Sequence, residues 1–304
     1  SIPLIPKTRR LRLGLNQAIS QLYPIAGAAP IVHETYYAPY RTSSKTSKIV
    51  LTVHDLIHEK FSHLFPAVDH TSAYKAAAIR RADRIICVSE NTRKDLLEYF
   101  DLDPAIVTVI PLGCSLAPAA FNQRRMLEQP YLLYVGDRQG YKNFAALLTA
   151  YAHSKDLNQD FVLVCFGSSP FSPLELELSA SLQLSPQQVR HVPGNDHDLA
   201  DWYRGAAALI FPSLYEGFGI PVLEAMTCGC PVICSNTSSL PEVAGQAAEY
   251  FDPYRWESLE MAISTVVYSA TRRQMLIAAG ERQAQQFSWD TCAEATCAVY
   301  RSLL

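Results

Sequence analysis

Two carboxylates flank a glycine-containing segment in the C-terminal half of the chain, and their spacing suits a phosphorylated ligand that is rich in hydroxyl groups. Glu216 and Glu224 stand eight positions apart, with Gly217 and Gly219 between them. Glycine allows a backbone to approach a ligand closely. The segment follows the apolar run 207–211 and precedes a helical pattern, which predicts a strand, a loop and a helix N-terminus. Free N–H groups at such an N-terminus bind phosphate, and the carboxylates can accept hydrogen bonds from hydroxyl groups on either side of the loop.

Charged side chains follow two further predicted strands. Arg138 and Lys142 come after the apolar run 131–135, and His54 directly follows the run 49–53. The carboxyl ends of parallel strands meet at one edge of a sheet, where open α/β folds bind their ligands. Cations placed there stabilise negative charge on a leaving group. The pattern therefore predicts an anion-binding site, with His54 on the ligand side of its own sheet.

The elements that must position these residues alternate between strands and helices. Short apolar, β-branched runs are typical of buried parallel strands, and they span residues 49–53, 84–88, 107–110, 131–135, 161–166, 207–211 and 231–234. Helical patterns lie between them, one running from Ser89 to Phe100 and another from Ser288 to Leu304. This alternation predicts an α/β fold with parallel sheets.

A domain boundary is expected within residues 111–129, which contain prolines and a glycine and show no clear hydrophobic period. We predict two Rossmann-like lobes with a cleft between them, over residues 1–115 and 130–285, joined by a linker over 116–129. A helix over 286–304 is expected to cross back to the first lobe. No strand with a Gly-rich turn opens the first lobe, so we expect its N-terminal part to be incomplete.

Seven segments, in this order along the chain, resemble the family-4 retaining glycosyltransferases of GT-B architecture. The segments are residues 52–55, 85–89, 109–113, 131–143, the Glu-x7-Glu segment 216–224, 238–245 and 287–289. Together they indicate a resemblance over nearly all of residues 30–304. It implies a retaining hexosyltransferase that takes its sugar from a nucleotide diphosphate sugar, with the donor on the second lobe and the acceptor on the first.

The resemblance implies roles for residues of the donor lobe. Arg138 and Lys142 would bind the diphosphate, and Glu224 would accept hydrogen bonds from the ribose hydroxyls. Glu216 would lie beside the transferred sugar, contacting its hydroxyls or stabilising the charged transition state. The backbone amides of Phe218 and Gly219 would hold the distal phosphate.

Residues around this group also receive roles from the resemblance. His54 would reach across the cleft to the donor sugar, with Asp55 orienting it. The loop that begins at Val192 resembles the segment whose backbone contacts the nucleobase. Gly136 and Gly217 would belong to the loops that approach the donor.

The resemblance implies attack on the face from which the leaving group departs, with the departing phosphate taking the acceptor proton. No metal and no cofactor is expected in this picture. Asp101-Leu-Asp103 and Asp196-His-Asp198 have the Asp-x-Asp spacing of metal-dependent transferases. We expect the first in a turn and the second at a helix cap. His54 and His58 are four positions apart, but the sequence offers no third zinc ligand near them.

Composition and charge exclude other classes. The 304 residues are 49% hydrophobic and 18% charged, which excludes a disordered chain. Residues 1–100 carry 14 Lys and Arg against 8 Asp and Glu, so we expect an anionic partner on that side. No nucleic-acid-binding signature accompanies this excess, and no nucleic acid partner is expected. The eight cysteines have no metal-ligand spacing and lie largely in apolar runs, which indicates buried, reduced thiols in a cytoplasmic protein.

Residues 9–22 combine one apolar helical stripe with flanking arginines. Such a helix either lies on an anionic membrane surface or packs its stripe into the lobe. Together with the charge excess, it suggests a glycan or polyprenyl-diphosphate-linked acceptor at the inner face of the plasma membrane, in polysaccharide biosynthesis.

The donor is predicted to be UDP-glucose or a related UDP-hexose, with GDP-mannose second. Two alternatives share the architecture: a non-catalytic nucleotide-sugar binding module and a nucleotide-sugar 2-epimerase. A degenerate binding module would be expected to lose His54, Lys142 or Glu216, and all three are present.

Overall fold

A computed structural model describes residues 29–41, 43–116, 126–167 and 169–304, in which two parallel sheets are surrounded by helices. The first sheet has four strands that lie side by side in the order of the sequence. They are β1 (Ile31–Glu34), β2 (Lys48–Val53), β3 (Arg84–Cys87) and β4 (Val107–Val109).

Helices cover both faces of this sheet because successive side chains of a strand point to opposite faces. On one side, Leu51 and Ile85 pack into a core with α2 (Thr71–Arg81) and α3 (Glu90–Tyr99). A short helix, α1 (Ile57–Lys60), follows β2. On the other side, Val50 and Ile86 contact a helix that comes from the far end of the chain. The first lobe is therefore completed by residues distant in sequence.

The second sheet has six strands in the spatial order β10-β9-β8-β5-β6-β7. They are β5 (Tyr131–Val135), β6 (Val162–Phe166), β7 (Val189–Val192), β8 (Ala208–Phe211), β9 (Val232–Ser235) and β10 (Ala248–Phe251). The order of the strands reverses between β5 and β8, which pair directly. Loops that leave two adjacent strands at such a reversal diverge to opposite faces and open a crevice for ligands.

Nine helices belong to the part of the chain after β5, as far as the structure describes it. They are α4 (Phe144–His153), α5 (Lys155–Asp160), α6 (Pro173–Ser181), α7 (Asp196–Gly205), α8 (Ile220–Thr227), α9 (Leu240–Ala244), α10 (Trp256–Val267), α11 (Ala270–Ala284) and α12 (Trp289–Arg301). The last of them leaves the second lobe and packs on the first sheet, where Val299 joins the core. There the Tyr300 hydroxyl lies 2.6 Å from Nδ1 of His33.

The sequence-based prediction of an α/β fold with parallel sheets is confirmed, but three strands were missed. These are β1, β7 and β10, three of the four edge strands of the two sheets; the fourth, β4, was predicted. An edge strand is paired on one side only and carries polar residues, as in the Val-Arg-His-Val sequence of β7, so it lacks a continuous apolar run. Ser89 and Ser288 cap α3 and α12 as predicted. The helix predicted over residues 9–22 lies outside the described residues.

All eight cysteines lie in the described residues and are unpaired. Burial is confirmed for the five that occupy strands and helix ends of the cores, namely Cys87, Cys165, Cys228, Cys230 and Cys234. Burial raises the pKa of the Cys87 thiol to about 12, so this residue stays protonated near neutrality. The expectation is wrong for Cys297, which is exposed on the outer face of α12. In the ranges that the structure describes, no helix is both long and apolar enough to cross a lipid bilayer.

Candidate active site

The loops that leave β5 and β8 bring Lys142 and Glu216 together at the point where the strand order reverses. Nζ of Lys142 lies 2.7 Å from Oε1 of Glu216, and both side chains are largely buried. The ammonium also lies over the rings of Tyr141 and Phe211, at 5.2 and 5.7 Å from their centres. The two loops are joined through their backbones as well, since the Leu214 amide donates to the carbonyl of Tyr141. Two predicted site residues 74 positions apart thus form one ion pair.

The segment that precedes α9 forms hydrogen bonds with the loop after β8 that carries Glu216, named here the Glu216 loop. The backbone amide of Glu216 donates to Oγ of Ser238 at 3.0 Å. The Ser239 hydroxyl lies 3.0 Å from the carbonyl of Glu216 and 2.8 Å from that of Phe218. Gly219 then opens α8 with a φ of +115°, a conformation that favours glycine. The structure therefore places the amides of residues 218 and 219 at a helix N-terminus, as expected for a phosphate site.

Glu224 lies in the second turn of α8 and faces α7, not Lys142. Its Oε2 accepts a hydrogen bond of 2.9 Å from the hydroxyl of Tyr203, which is fully buried. Burial raises the pKa of Glu224; the Tyr203 bond opposes this shift and the charge of Asp196 adds to it. The two carboxylates predicted to act around one ligand therefore have different environments, one paired with a cation and the other with a phenol.

Arg138 is placed differently from the expectation of a free diphosphate ligand. Its guanidinium forms an ion pair of 2.7 Å with Glu175 and donates to the carbonyls of Ser169 and Pro170. The group also lies 4.9 Å from the centre of the Phe171 ring, and its side chain is 4% exposed. The Glu175 carboxylate, itself fixed by the capping box of α6, offers a better partner than water. We therefore revise the role of Arg138 to fixing the start of the loop that follows β5.

One nitrogen atom of the Arg138 guanidinium does not take part in these contacts. This atom, Nη1, is buried and has no hydrogen-bond partner among the described residues. A buried donor without a partner costs about 1–3 kcal/mol.

His54 is placed at the end of β2, directly against the Glu216 loop. A Cβ added to Gly217 would lie 1.8 Å from the carbonyl oxygen of His54, so only glycine permits this approach. Nε2 of His54 lies 2.9 Å from the carbonyl oxygen of Thr35, which can only accept, so Nε2 carries a proton and Nδ1 is left for other contacts. The backbone amide of His54 donates to the Tyr37 hydroxyl at 3.2 Å.

The expectation that Asp55 orients His54 is wrong. Oδ1 of Asp55 accepts from the Ile57 amide at 3.0 Å, at the start of α1. It also lies 3.5 Å from Nζ of the fully buried Lys75. The carbonyl of Thr35 supplies the orienting contact instead, and no side-chain pattern in the sequence signals a backbone acceptor.

The remaining predicted residues lie at the same edge of the second sheet. Gly136 follows β5 with a φ of +114° and has no atom within 4 Å of the position that a Cβ would take. Val192 ends β7, and its carbonyl accepts from the amide of Gly167. Asn195, not Asp196, is the N-cap of α7, and Asp198 completes its capping box. Among the described residues, no group of three or more potential metal ligands comes together.

Tyr203 is a residue of this site that the sequence did not reveal. It lies in α7 beside Trp202 and Leu199, where an aromatic residue is typical of a core-facing stripe. Only the packing of α7 against α8 shows that its hydroxyl meets Glu224.

Two known families match the chain, one in each half. The family described as Glycosyl transferases group 1 matches residues 119–283, and the one described as Glycosyltransferase Family 4 matches residues 3–118. The first match alone covers more than half of the chain.

Two curated relatives show the extent of the likeness. The chain is 30% identical to the O-antigen chain mannosyltransferase B of Escherichia coli over 283 residues, which cover 88% of this chain and 73% of that protein. It is also 30% identical to the D-inositol 3-phosphate glycosyltransferase of Salinispora tropica over 250 residues, 73% of this chain and 51% of that protein. The chain thus spans about half the length of the second relative.

Solved structures share the fold. A sucrose-phosphate synthase from Thermosynechococcus elongatus aligns with a TM-score of 0.76 at 22% identity, covering 99% of this chain and 81% of its own. WaaG, a glycosyltransferase involved in lipopolysaccharide biosynthesis, aligns with a TM-score of 0.75 at 19% identity, covering 98% and 85%. Two lobes with parallel sheets, arranged as in GT-B enzymes, are therefore the architecture of this chain.

Proposed function

We propose, from the premise that this chain belongs to the family of group 1 glycosyl transferases, that it transfers a hexose from a nucleotide diphosphate sugar to a glycan acceptor with retention of configuration. The observation that carries the proposal is the Lys142–Glu216 ion pair at the reversal of strand order in the second sheet. The loop that carries Glu216 leads into a helix N-terminus, and its Gly217 lies against His54 of the first lobe.

The charges of this arrangement suit a leaving nucleotide diphosphate. Lys142 is a fixed cation for the negative charge that develops as the anomeric bond breaks. The amides of Phe218 and Gly219 add hydrogen-bond donors at the N-terminus of α8. Glu216, held 2.7 Å from the Lys142 ammonium, is positioned to contact sugar hydroxyls. Glu224 then accepts from the ribose hydroxyls, at the other end of the donor.

The proposed reaction needs no covalent intermediate on the protein. The bond between the anomeric carbon and the diphosphate oxygen breaks, and the acceptor oxygen bonds to the same face of that carbon. The acceptor proton passes to the departing phosphate, so charge and atoms balance. The transition state is oxocarbenium-like, and the site supplies orientation and exclusion of water. His54 would contact the donor sugar through Nδ1, since Nε2 is held by the carbonyl of Thr35.

The donor sugar and the acceptor are further parts of the proposal. The sequence favours a UDP-hexose, whereas relatives whose names specify mannose transfer support a mannosyl donor. The O-antigen relative also supports a glycan acceptor in polysaccharide biosynthesis. A polyprenyl-diphosphate-linked acceptor and contact with an anionic membrane remain predictions from the charge of the first 100 residues.

Calorimetric titration with UDP, GDP, UDP-glucose and GDP-mannose tests the donor site. We expect micromolar binding of one nucleotide series, lost in Glu224→Ala and retained in Glu281→Ala, a matched change at an exposed position of α11. Proton NMR of the glycoside formed with that donor and a panel of glycans reads the anomeric configuration. An inverted product would overturn retention, and binding without transfer would favour the non-catalytic module.

A further inference from the structure

The first turn of α3, in the first lobe, forms hydrogen bonds with the loop that carries Glu216. The hydroxyl of Ser89 lies 2.7 Å and that of Thr92 3.1 Å from the carbonyl oxygen of Gly217, and both donate to it. Ser89 and Thr92 are completely buried. Two donors from one lobe therefore converge on a single backbone acceptor of the other.

A second contact holds the residue on the other side of Glu216. The hydroxyl of Tyr215 donates to Oδ2 of Asp95 at 2.5 Å. Asn91 donates to the same carboxylate oxygen at 3.0 Å, and Nζ of Lys60 lies 2.8 Å from the other one. Tyr215 and Asp95 are both about 95% buried. Burial and the Asp95 charge hold the pKa of Tyr215 well above its usual range, so the phenol remains a donor.

A third contact runs in the opposite direction. Glu242 of α9 accepts hydrogen bonds from the backbone amides of Glu90 and Asn91, at 2.9 and 3.3 Å. A carboxylate at this place satisfies N–H groups that have no partner within the helix, and its charge interacts favourably with the helix dipole. The contact brings the N-terminus of α3 to the second lobe.

We infer that the first two of these contacts form an inter-lobe clasp, which positions Glu216 for the reaction only when the lobes are closed. The clasp is defined by Ser89, Thr92 and Asp95 on the α3 side and by Tyr215 and Gly217 of the loop. The inference rests on the proposed function, because it gives Glu216 its role. The members of the clasp are positioning residues.

The geometry supports a role in positioning Glu216, beyond holding the two lobes together. Glu216 is the one residue between the two that α3 holds, and its own carboxylate bonds to Lys142 of the second lobe. Its side chain is fixed by the second lobe. Its backbone is held by Ser238 and Ser239 of the second lobe and, through the residues on either side, by the first lobe. Opening of the cleft would release Tyr215 and Gly217 together and leave the Glu216 backbone held by the second lobe alone.

The spacing of the three α3 residues fits this role. Ser89, Thr92 and Asp95 stand three positions apart, so they lie along one face of the helix. A helix that packs on a sheet normally presents apolar side chains on its buried face. Here that face is polar over two turns, and every one of these side chains bonds to the Glu216 loop or to a residue beside it.

Two variants test the clasp in the full chain. Tyr215→Phe removes one hydroxyl and keeps the ring, and Asp95→Asn removes the charge that accepts from it. We expect kcat for sugar transfer to fall about 10- to 100-fold, the range for a lost hydrogen bond to a charged group. The KM for the donor and the affinity for the free nucleotide should stay within about threefold, because the nucleotide contacts the second lobe. Asp101→Asn and Lys94→Ala, exposed positions near and on α3, serve as controls with unchanged rates.

Hydrogen exchange gives a readout that does not depend on activity. The amides of residues 214–219 should exchange faster in both variants than in the unaltered chain, with no change in β5 or β6. A rate of transfer equal to that of the unaltered chain in both variants would overturn the inference. Parallel losses of kcat and nucleotide affinity would also overturn it, since they would indicate a disturbed donor lobe. If the unaltered chain transfers no sugar from any donor, the proposed function fails, and the exchange experiment still decides whether the clasp holds the loop.

Discussion

Replacement of Gly217 by alanine should hold the cleft open without altering any charged group. The Cβ of the new residue would lie 1.8 Å from the carbonyl oxygen of His54 and 3.0 Å from the Cβ of Asp55. Both obstacles lie directly after β2, and neither a backbone oxygen nor a Cβ can move away by side-chain rotation. Because φ of Gly217 is not positive, the substitution adds no backbone strain of its own, and its effect comes from the contact between the lobes.

The size of the effect follows from this distance. Ordinary contact begins at 3.4 Å, so the loop must withdraw from His54 by about 1.6 Å. The bonds of 2.7 and 3.1 Å from Ser89 and Thr92 would then be too long to persist. Two such bonds contribute about 1 kcal/mol each, and overpacking costs about 1–3 kcal/mol. The closed form should lose about 3–5 kcal/mol, which lowers its population relative to the open form by about 150- to 5,000-fold.

Three measurements on Gly217→Ala examine this reasoning. The kcat for transfer should fall steeply, nucleotide affinity should remain, and the radius of gyration from X-ray scattering should increase. Gly229→Ala is a suitable control, because that position has a positive φ of 69° and its Cβ would meet only the Ile277 side chain, at 3.9 Å. It should lower the melting temperature and leave kcat unchanged. A Gly217→Ala protein with full kcat and unchanged scattering would refute the role of this contact.

Three further outcomes are expected. Lys142→Ala should lower kcat/KM for transfer about 100- to 1,000-fold, as the loss of a fixed group at a developing charge does; initial rates within threefold of the unaltered chain would contradict it. Glu224→Gln should raise the melting temperature at pH 8 and weaken nucleotide binding. Burial raises the folded-state pKa of Glu224, so its ionised form lowers the stability of the fold at high pH, and this cost is lost as the pH falls. The increase in melting temperature from Glu224→Gln should therefore be smaller at pH 5. Tyr203→Phe removes the phenol that holds the Glu224 carboxylate and should weaken nucleotide binding about tenfold by calorimetry, whereas an unchanged affinity would show that Glu224 needs no such partner.

The central strands and the loops that follow them could be predicted from the sequence because their signals are local. A buried parallel strand such as β5 is a continuous apolar run, and the loop after it carries Lys142 within seven residues. The same reasoning failed for the edge strands β1, β7 and β10, whose sequences mix polar and apolar residues, and succeeded for the edge strand β4. Local patterns therefore predict the middle of each sheet better than its borders.

Side-chain partners were predicted less well than side-chain positions. Arg138 does follow β5 as expected, but its charge is taken by Glu175 of α6, 37 positions away. Asp55 follows β2 as expected, but its carboxylate accepts from the Ile57 amide. A residue's type and place in a strand–loop unit limit which edge of the sheet it reaches. The choice among competing partners depends on the other helices that pack there, and the sequence does not reveal that packing.

The contact between the lobes lies furthest beyond the reach of sequence reasoning. Asp95 and Tyr215 are separated by 120 positions, and Ser89 and Gly217 by 128. Each residue has an ordinary local explanation: Ser89 is a helix cap, and Asp95 is a polar residue of an otherwise amphipathic helix. Asp95 is distinguished by its burial: its residue is 4% exposed although it carries a charge, and a buried charge requires partners. Within its own lobe Asp95 has Lys60 and Asn91 as partners, whereas the bond from Tyr215 forms only when the two lobes are in contact. Removal of the Asp95 charge should therefore be felt at the Glu216 loop as well as within the first lobe.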